Sequence, residues 1–270
     1  MTGLSAGLWN YINDLNMNVK LVIWMLFLTA VSIPETLVAQ ELSATDIVRK
    51  ADEKFNGEKS SYSIMSMTII RPAWKRSIEF KNWTLDREYA LTLITAPARE
   101  AGQSFLKRRS EMWSWNPSIS RLIKLPPSMM SQGWMGSDYT NDDIMRESSV
   151  IHDYSHEIMG EETIGGMPCY KIRLTAREDA SIVWGQQIQW IDKVDFLVLK
   201  AELYDEDGYL VRTENGSAIK VMDGRKIPSR IELVPAEEPE NKTVIDILEI
   251  RFNTDVAEDF FSQQNMRRVR

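Results

Sequence analysis

After Gly57 the chain alternates between runs rich in β-branched and aromatic residues and short clusters of Gly, Pro, Asn and Asp. The runs begin with SYSIMSMTIIR (61–71), WKRSIEFKNWTL (74–85) and EYALTLIT (88–95). They continue with GQSFLKRRS (102–110), EMWSWNP (111–117), SRLIKLP (120–126), YSHEIMGEETI (154–164) and PCYKIRLTA (168–176). VWGQQIQWID (183–192), FLVLKAELYD (196–205), YLVRTENGSAIKVM (209–222), RKIPSRIELVP (225–235) and KTVIDILEIRFN (242–253) complete the series. Turn residues sit between them at Gly165-Gly166, Asp205-Glu206-Asp207-Gly208 and Asp223-Gly224, and the last two read as hairpin loops whose residues accept positive φ. Connections this short join antiparallel neighbours, because a parallel crossover needs a longer path. Roughly a dozen strands in sequential hairpins form a meander that must curl, close or split. A barrel or a strongly bent sheet is the expectation, in a mainly β chain with little helix.

One helix precedes the strands. In LSATDIVRKADEKF, Ser43 is placed to cap and Asp46 to complete a capping box. Ile47, Val48, Ala51 and Phe55 fall on one stripe, which needs a sheet to pack against, and Asn56-Gly57 ends the helix. The strands alternate as well: Trp74, Ile78 and Phe80, then Leu91 and Leu93, Met112 with Trp113 and Trp115, and Ile188 and Trp190 oppose charges such as Lys75, Glu79 and Lys81. One face is therefore expected to be apolar and wide, and a single short helix cannot cover it.

PPSMMSQGWMGSDYTNDDIM (126–145) is the segment with bulk to spare. It has a loop's composition and yet carries Met129, Met130, Trp134, Met135, Ile144 and Met145. Gly133 and Gly136 flank the Trp-Met pair as candidate hinges, and Thr140 or Asn141 can cap a short helix through Asp142 and Asp143. A flexible, Met-rich roof over an apolar face makes a container for an apolar ligand. Each enclosed methylene would contribute ~0.8 kcal/mol, so enclosure counts for more than any polar contact. The last residues, DVAEDFFSQQNM, read as a short helix-like tail with Phe260 and Phe261 turned inward.

The N-terminus has the layout of a secretory signal peptide: Lys20, an uncharged apolar core from Leu21 to Ile33, then Pro34, Glu35 and a cleavage region at Ala39-Gln40. Its 13-residue apolar run is shorter than a bilayer span, and Met17 is the better start for such a peptide. Residues 1–40 are set aside on this reading, and 41–270 form one domain. The chain has one cysteine, Cys169, so no internal disulfide is expected in an exported protein. A net charge of −7 with only short basic clusters excludes nucleic acid as a partner. No glycine-rich phosphate loop, nucleophile elbow or Cys-x-x-Cys pair is present, and no cofactor or metal is expected. Cys169 is expected in the core, His152 and His156 at a solvated strand edge, and Asp138, Asp142 and Asp143 at a helix start rather than in a calcium loop.

The chain resembles the outer-membrane lipoprotein-sorting protein family, related to the periplasmic lipoprotein carrier LolA and its receptor LolB. The resemblance rests on a signal peptide followed by ATDIVRKADEKF, on EMWSWNPSISRLIKLP, on SMMSQGWMGSDYTNDDI with GSDYTNDDI its most specific part, and on the hairpins YSHEIMGEETIGGMPCYKIRLTA and QWIDKVDFLVLKAELYDEDG. It implies an unclosed antiparallel β-barrel, here of roughly eleven to thirteen strands, with an N-terminal helix and a short helical lid over a hydrophobic cavity. It also implies a monomeric, non-enzymatic periplasmic carrier that binds acyl chains of lipoproteins or lipids and moves them between inner and outer membranes. The arginine latch of the best-known carrier has no residue here that can be matched to it. On this reading Phe80, Leu91, Leu93, Phe105, Trp113 and Trp115 form the cavity wall, and Met129, Met130, Trp134, Met135 and Ile144 form the lid. The alternative is an accessory subunit of an inner-membrane exporter, with the Met/Trp loop as its docking surface.

Overall fold

The computed structural model describes residues 42–56, 59–145, 149–178, 180 and 183–270. The signal segment, the helix stop at Gly57 and the side chains of Phe55, Asp142 and Met145 lie outside the described residues. Helix α1 (Ala44–Asn56) begins at the capping box read from the sequence. Ser43 Oγ accepts from Asp46 N at 3.1 Å and donates to the Asp46 carboxylate at 2.6 Å. Such a cap is worth about 1 kcal/mol to the helix.

The strands are β1 (Ser60–Arg71), β2 (Trp74–Leu85), β3 (Tyr89–Ala96), β4 (Ser104–Arg108), β5 (Glu111–Asn116), β6 (Arg121–Lys124), β7 (Tyr154–Ile164), β8 (Met167–Ala176), β9 (Gln186–Asp192), β10 (Val198–Tyr204), β11 (Leu210–Met222), β12 (Arg225–Pro235) and β13 (Lys242–Phe252). They form one 13-stranded sheet in the order β6-β5-β4-β3-β2-β1-β13-β12-β11-β10-β9-β8-β7. The pairs are antiparallel. The sheet is an unclosed barrel, since β6 and β7 lie at its two edges. Tight turns act as expected: Gly165 and Gly166 have φ of 56° and 83°, and Asp223 and Gly224 have φ of 46° and 76°.

This topology fixes the path of the Met/Trp segment. Strands β6 and β7 are consecutive in sequence but sit at opposite edges. The chain between them must therefore cross the sheet, and it does so over one face.

The register shows that α1 and this segment share that face, because directly paired residues in an antiparallel ladder point the same way. Ile78 pairs with Met67, Met67 with Ile245, and Ile245 with Ile231. Ile231 pairs with Gly216, whose same-face neighbour Glu214 pairs with Ala201. Ala201 pairs with Gln189, and Gln189 with Ile172. Ile78 and Met67 pack with Trp134 of the crossing segment, and Ile172 packs with Ile47 and Val48 of α1. We call this the inner face.

The sequence expectation of one apolar face and one wet face is corrected in two places. On β2–β5 both faces are apolar. The outer one, with Leu85, Leu91, Leu106 and Trp113, is covered by the C-terminal residues Phe261 and Met266. On β9–β11 the inner face is polar, carrying Gln187, Gln189, Arg212 and Glu214. Trp74, expected on the apolar face, is 49% exposed because it sits at the β1–β2 turn. Cys169 is buried in a cluster with Trp190 and Leu199, as expected.

Candidate functional site

The crossing segment is built around one indole. Trp134 is 1% exposed and stands edge-on to Phe80 and Phe105, with centroids 5.5 Å and 5.4 Å away. Met130, Met135 and Ile144 pack around the same cluster. The backbone turns tightly to deliver this side chain. Met135 takes a left-handed φ of 54° and Gly136 a φ of 77°. Gly133 is extended, at φ −62°, and its glycine character serves close packing: a Cβ there would lie 2.7 Å from the Ser137 carbonyl oxygen. Trp134 N donates to Tyr139 O at 2.6 Å, closing the turn. The indole Nε1 is buried without a hydrogen-bond partner, which costs on the order of 1–3 kcal/mol.

Arginines from the sheet hold the segment from below. Arg71 forks onto Asp138, 2.8 Å and 3.1 Å to its two oxygens, and Thr243 Oγ1 donates to the same carboxylate at 2.7 Å. Arg76 donates to Met135 O at 3.1 Å while paired with Glu100. Arg212 lies deepest. Its Nη1 is 2.6 Å from Asp143, its Nη2 is 2.8 Å from Glu214, and its guanidinium stacks near Trp184 and Tyr139. Thr140 and Asp143 form a reciprocal cap at the start of α2 (Asn141–Met145): Thr140 N donates to Asp143 Oδ2 at 2.7 Å, and Asp143 N to Thr140 Oγ1 at 3.0 Å.

Burial alone would raise the Asp143 pKa. The hydrogen bond and charge of Arg212 outweigh it, and the carboxyl is held below the ordinary 3.8. Burial, followed by the nearby Glu214 charge, pushes the Tyr139 hydroxyl well above its usual value, so it is neutral.

Beside the crossing segment, α1 spans a cavity of about 210 Å³ over β9–β12. Val48, Ala51, Val150, Val198, Ala201 and Ile231 supply its apolar wall. Asp52, Gln189 and Glu214 supply polar groups, and Asp52 is salt-bridged to Arg87.

The expected site residues fall into two groups. Phe80, Phe105, Met130, Trp134, Met135 and Ile144 come together on the inner face. Leu91, Trp113 and Trp115 belong to the outer cluster under Phe261, and Leu93 shares their side of β3. Met129 contributes its carbonyl, which accepts from Asn141 Nδ2 at 2.9 Å. The segment turns Trp134 inward and so does not present it as an outward docking surface. None of the expected wall and lid residues lines the cavity under α1; of its lining, Val48 and Ala51 were expected only as part of the helix stripe that packs on the sheet. Its signal was the alternation of Gln187 and Gln189 with Ile188 and Trp190. His156 is bonded to Thr45 at 3.0 Å and to Val150 O at 2.6 Å, which ties β7 to α1. Among the described residues no group of His, Cys, Asp or Glu side chains is arranged to hold a metal.

A family model described as an uncharacterized protein matches residues 86–268. Among solved structures, a DUF1329 family protein from Desulfovibrio piger superposes with a TM-score of 0.75 at 24% identity, covering 83% of this chain and 97% of its own. A LolA superfamily protein from Nitrosomonas europaea gives a TM-score of 0.71 at 25% identity, over 83% of this chain and 99% of its own. No curated protein matches the chain significantly.

Proposed function

We propose, since the chain belongs to this LolA-like family, that it is a periplasmic carrier of acyl chains of lipoproteins or lipids, moving them between inner and outer membranes without chemistry. The observation that carries this reading is the cavity of about 210 Å³ between α1 and the inner face of the unclosed sheet, walled by small aliphatic side chains. A chain longer than this cavity would extend along the inner face into the space held by Trp134. That side chain is a fitting gate, because its buried, unpartnered Nε1 gains a partner when the indole leaves. Met135 and Gly136, both at positive φ, place the turn of the gate beside it.

A transfer assay tests this function. Vesicles resembling the inner membrane and carrying a fluorescent lipidated peptide are mixed with acceptor vesicles. The protein is expected to speed transfer in proportion to its concentration. Transfer that stays at the spontaneous rate would overturn the carrier reading and favour an exporter-associated subunit.

A further inference from the structure

The polar end of the cavity under α1 offers acceptors. Glu214 uses Oε1 for both of its bonds to Arg212, from Nε at 3.1 Å and Nη2 at 2.8 Å. Its other oxygen, Oε2, accepts from no donor among the described residues, although Glu214 lines the cavity. Arg212 cannot neutralise this wall, because its single charge is shared with Asp143. Two partly buried carboxylates thus face one guanidinium.

Gln189 supplies a second acceptor, and its orientation is fixed by a relay. Tyr154 Oη donates to Trp184 O at 3.2 Å and accepts from Gln187 Nε2 at 3.1 Å. That leaves Gln187 Oε1 as the acceptor for Gln189 Nε2, also at 3.1 Å. Gln189 Oε1 is therefore left over, on a side chain 8% exposed that lines the cavity. The Lys200 ammonium does not offset these acceptors: bonded to Glu202 at 2.7 Å and lying over the Trp190 ring at 4.3 Å, it is on the outer face of the sheet. Asp52 adds a second carboxylate to the lining, already salt-bridged to Arg87. A cavity with aliphatic walls and a polar end made of acceptors complements a head group that only donates.

We propose that this cavity selects amphiphiles whose apolar chain ends in an ammonium or similar hydrogen-bond-donating cation, held by Glu214 Oε2 and Gln189 Oε1, and discriminates against carboxylate heads. The inference rests on the acyl-cavity reading above and adds the chemistry of the head.

Octylammonium, octanoate and 1-octanol share one tail and separate the two claims. Each is titrated calorimetrically into the intact protein at pH 7. Octylammonium is expected to bind at least about tenfold more tightly than octanoate, as one charge-assisted hydrogen bond allows. Glu214→Gln is expected to bring that ratio to within about twofold. Gln189→Leu, which leaves the Arg212 cluster intact, is expected to lower it about threefold. Octanoate binding as tightly as octylammonium would overturn the head-group inference and leave the cavity reading standing. Failure of all three ligands to bind would overturn both. A preference that survives in both variants would also overturn the inference, because the selecting atoms would then lie elsewhere.

Discussion

Single residues on the inner face carry large and unequal costs. Trp134 fills the space between Phe80 and Phe105, so Trp134→Ala should destabilise the protein by about 3–5 kcal/mol, read from urea unfolding, with the far-ultraviolet spectrum retained. Arg212→Met should cost about as much for a different reason, since it leaves the partly buried Asp143 and Glu214 carboxylates without their cation. The pH behaviour follows from the direction of the Asp143 shift. Its folded pKa lies below the ordinary 3.8, so its contribution to stability is fully present above that value and is lost as pH falls through the lower, folded pKa. Thermal unfolding should therefore show no Asp143-dependent change between pH 5 and 8, and a loss below about pH 4 that Asp143→Asn removes. These residues were partly legible. The excess apolar bulk of 126–145 pointed to Trp134, and the spacing of Thr140 and Asp143 gave the cap. Nothing local in YLVRTENG marks Arg212 as the buried anchor. Its role exists only because β11 passes beneath a segment almost seventy residues earlier in the chain.

At the level of elements, the strands were the most legible part. Their alternation and turn chemistry are local, and each of the thirteen runs forms a strand of the sheet. Which face a residue meets was less legible. In EMWSWN, period-two alternation separates Met112 from Trp113 and Trp115, but alternation does not say which set lies inside. The tryptophans face outward, and the C-terminal segment covers them through Phe261 and Met266, with Ser104 Oγ donating to Met266 O at 2.6 Å. That cover is predicted to be essential to solubility. Removal of residues 256–270 should expose Leu91, Leu106 and Trp113 together, giving strong binding of an apolar dye and concentration-dependent aggregation. Phe261→Ala, which keeps the segment, should cost about 3–5 kcal/mol.

At the scale of the molecule, the connectivity explains why the loop is apolar. A sheet whose consecutive strands β6 and β7 lie at opposite edges must send their connection across a face, and a crossing segment over an apolar face must itself be apolar. The sequence shows the bulk of that segment but not its route, because edge positions depend on the pairing of β1 with β13 at the two ends of the meander. The result is a half-filled interior: Trp134 occupies one part, and α1 leaves a cavity over β9–β12 in the other. The central claim is that this cavity holds the acyl chain of the cargo. Native mass spectrometry of the protein purified from its own envelope, beside an Ala201→Trp variant that fills the cavity wall, tests it most directly. One acyl-bearing lipid per protein is predicted on the wild type and none on the folded variant; a ligand-free wild type, or a variant that keeps its lipid, would contradict the account.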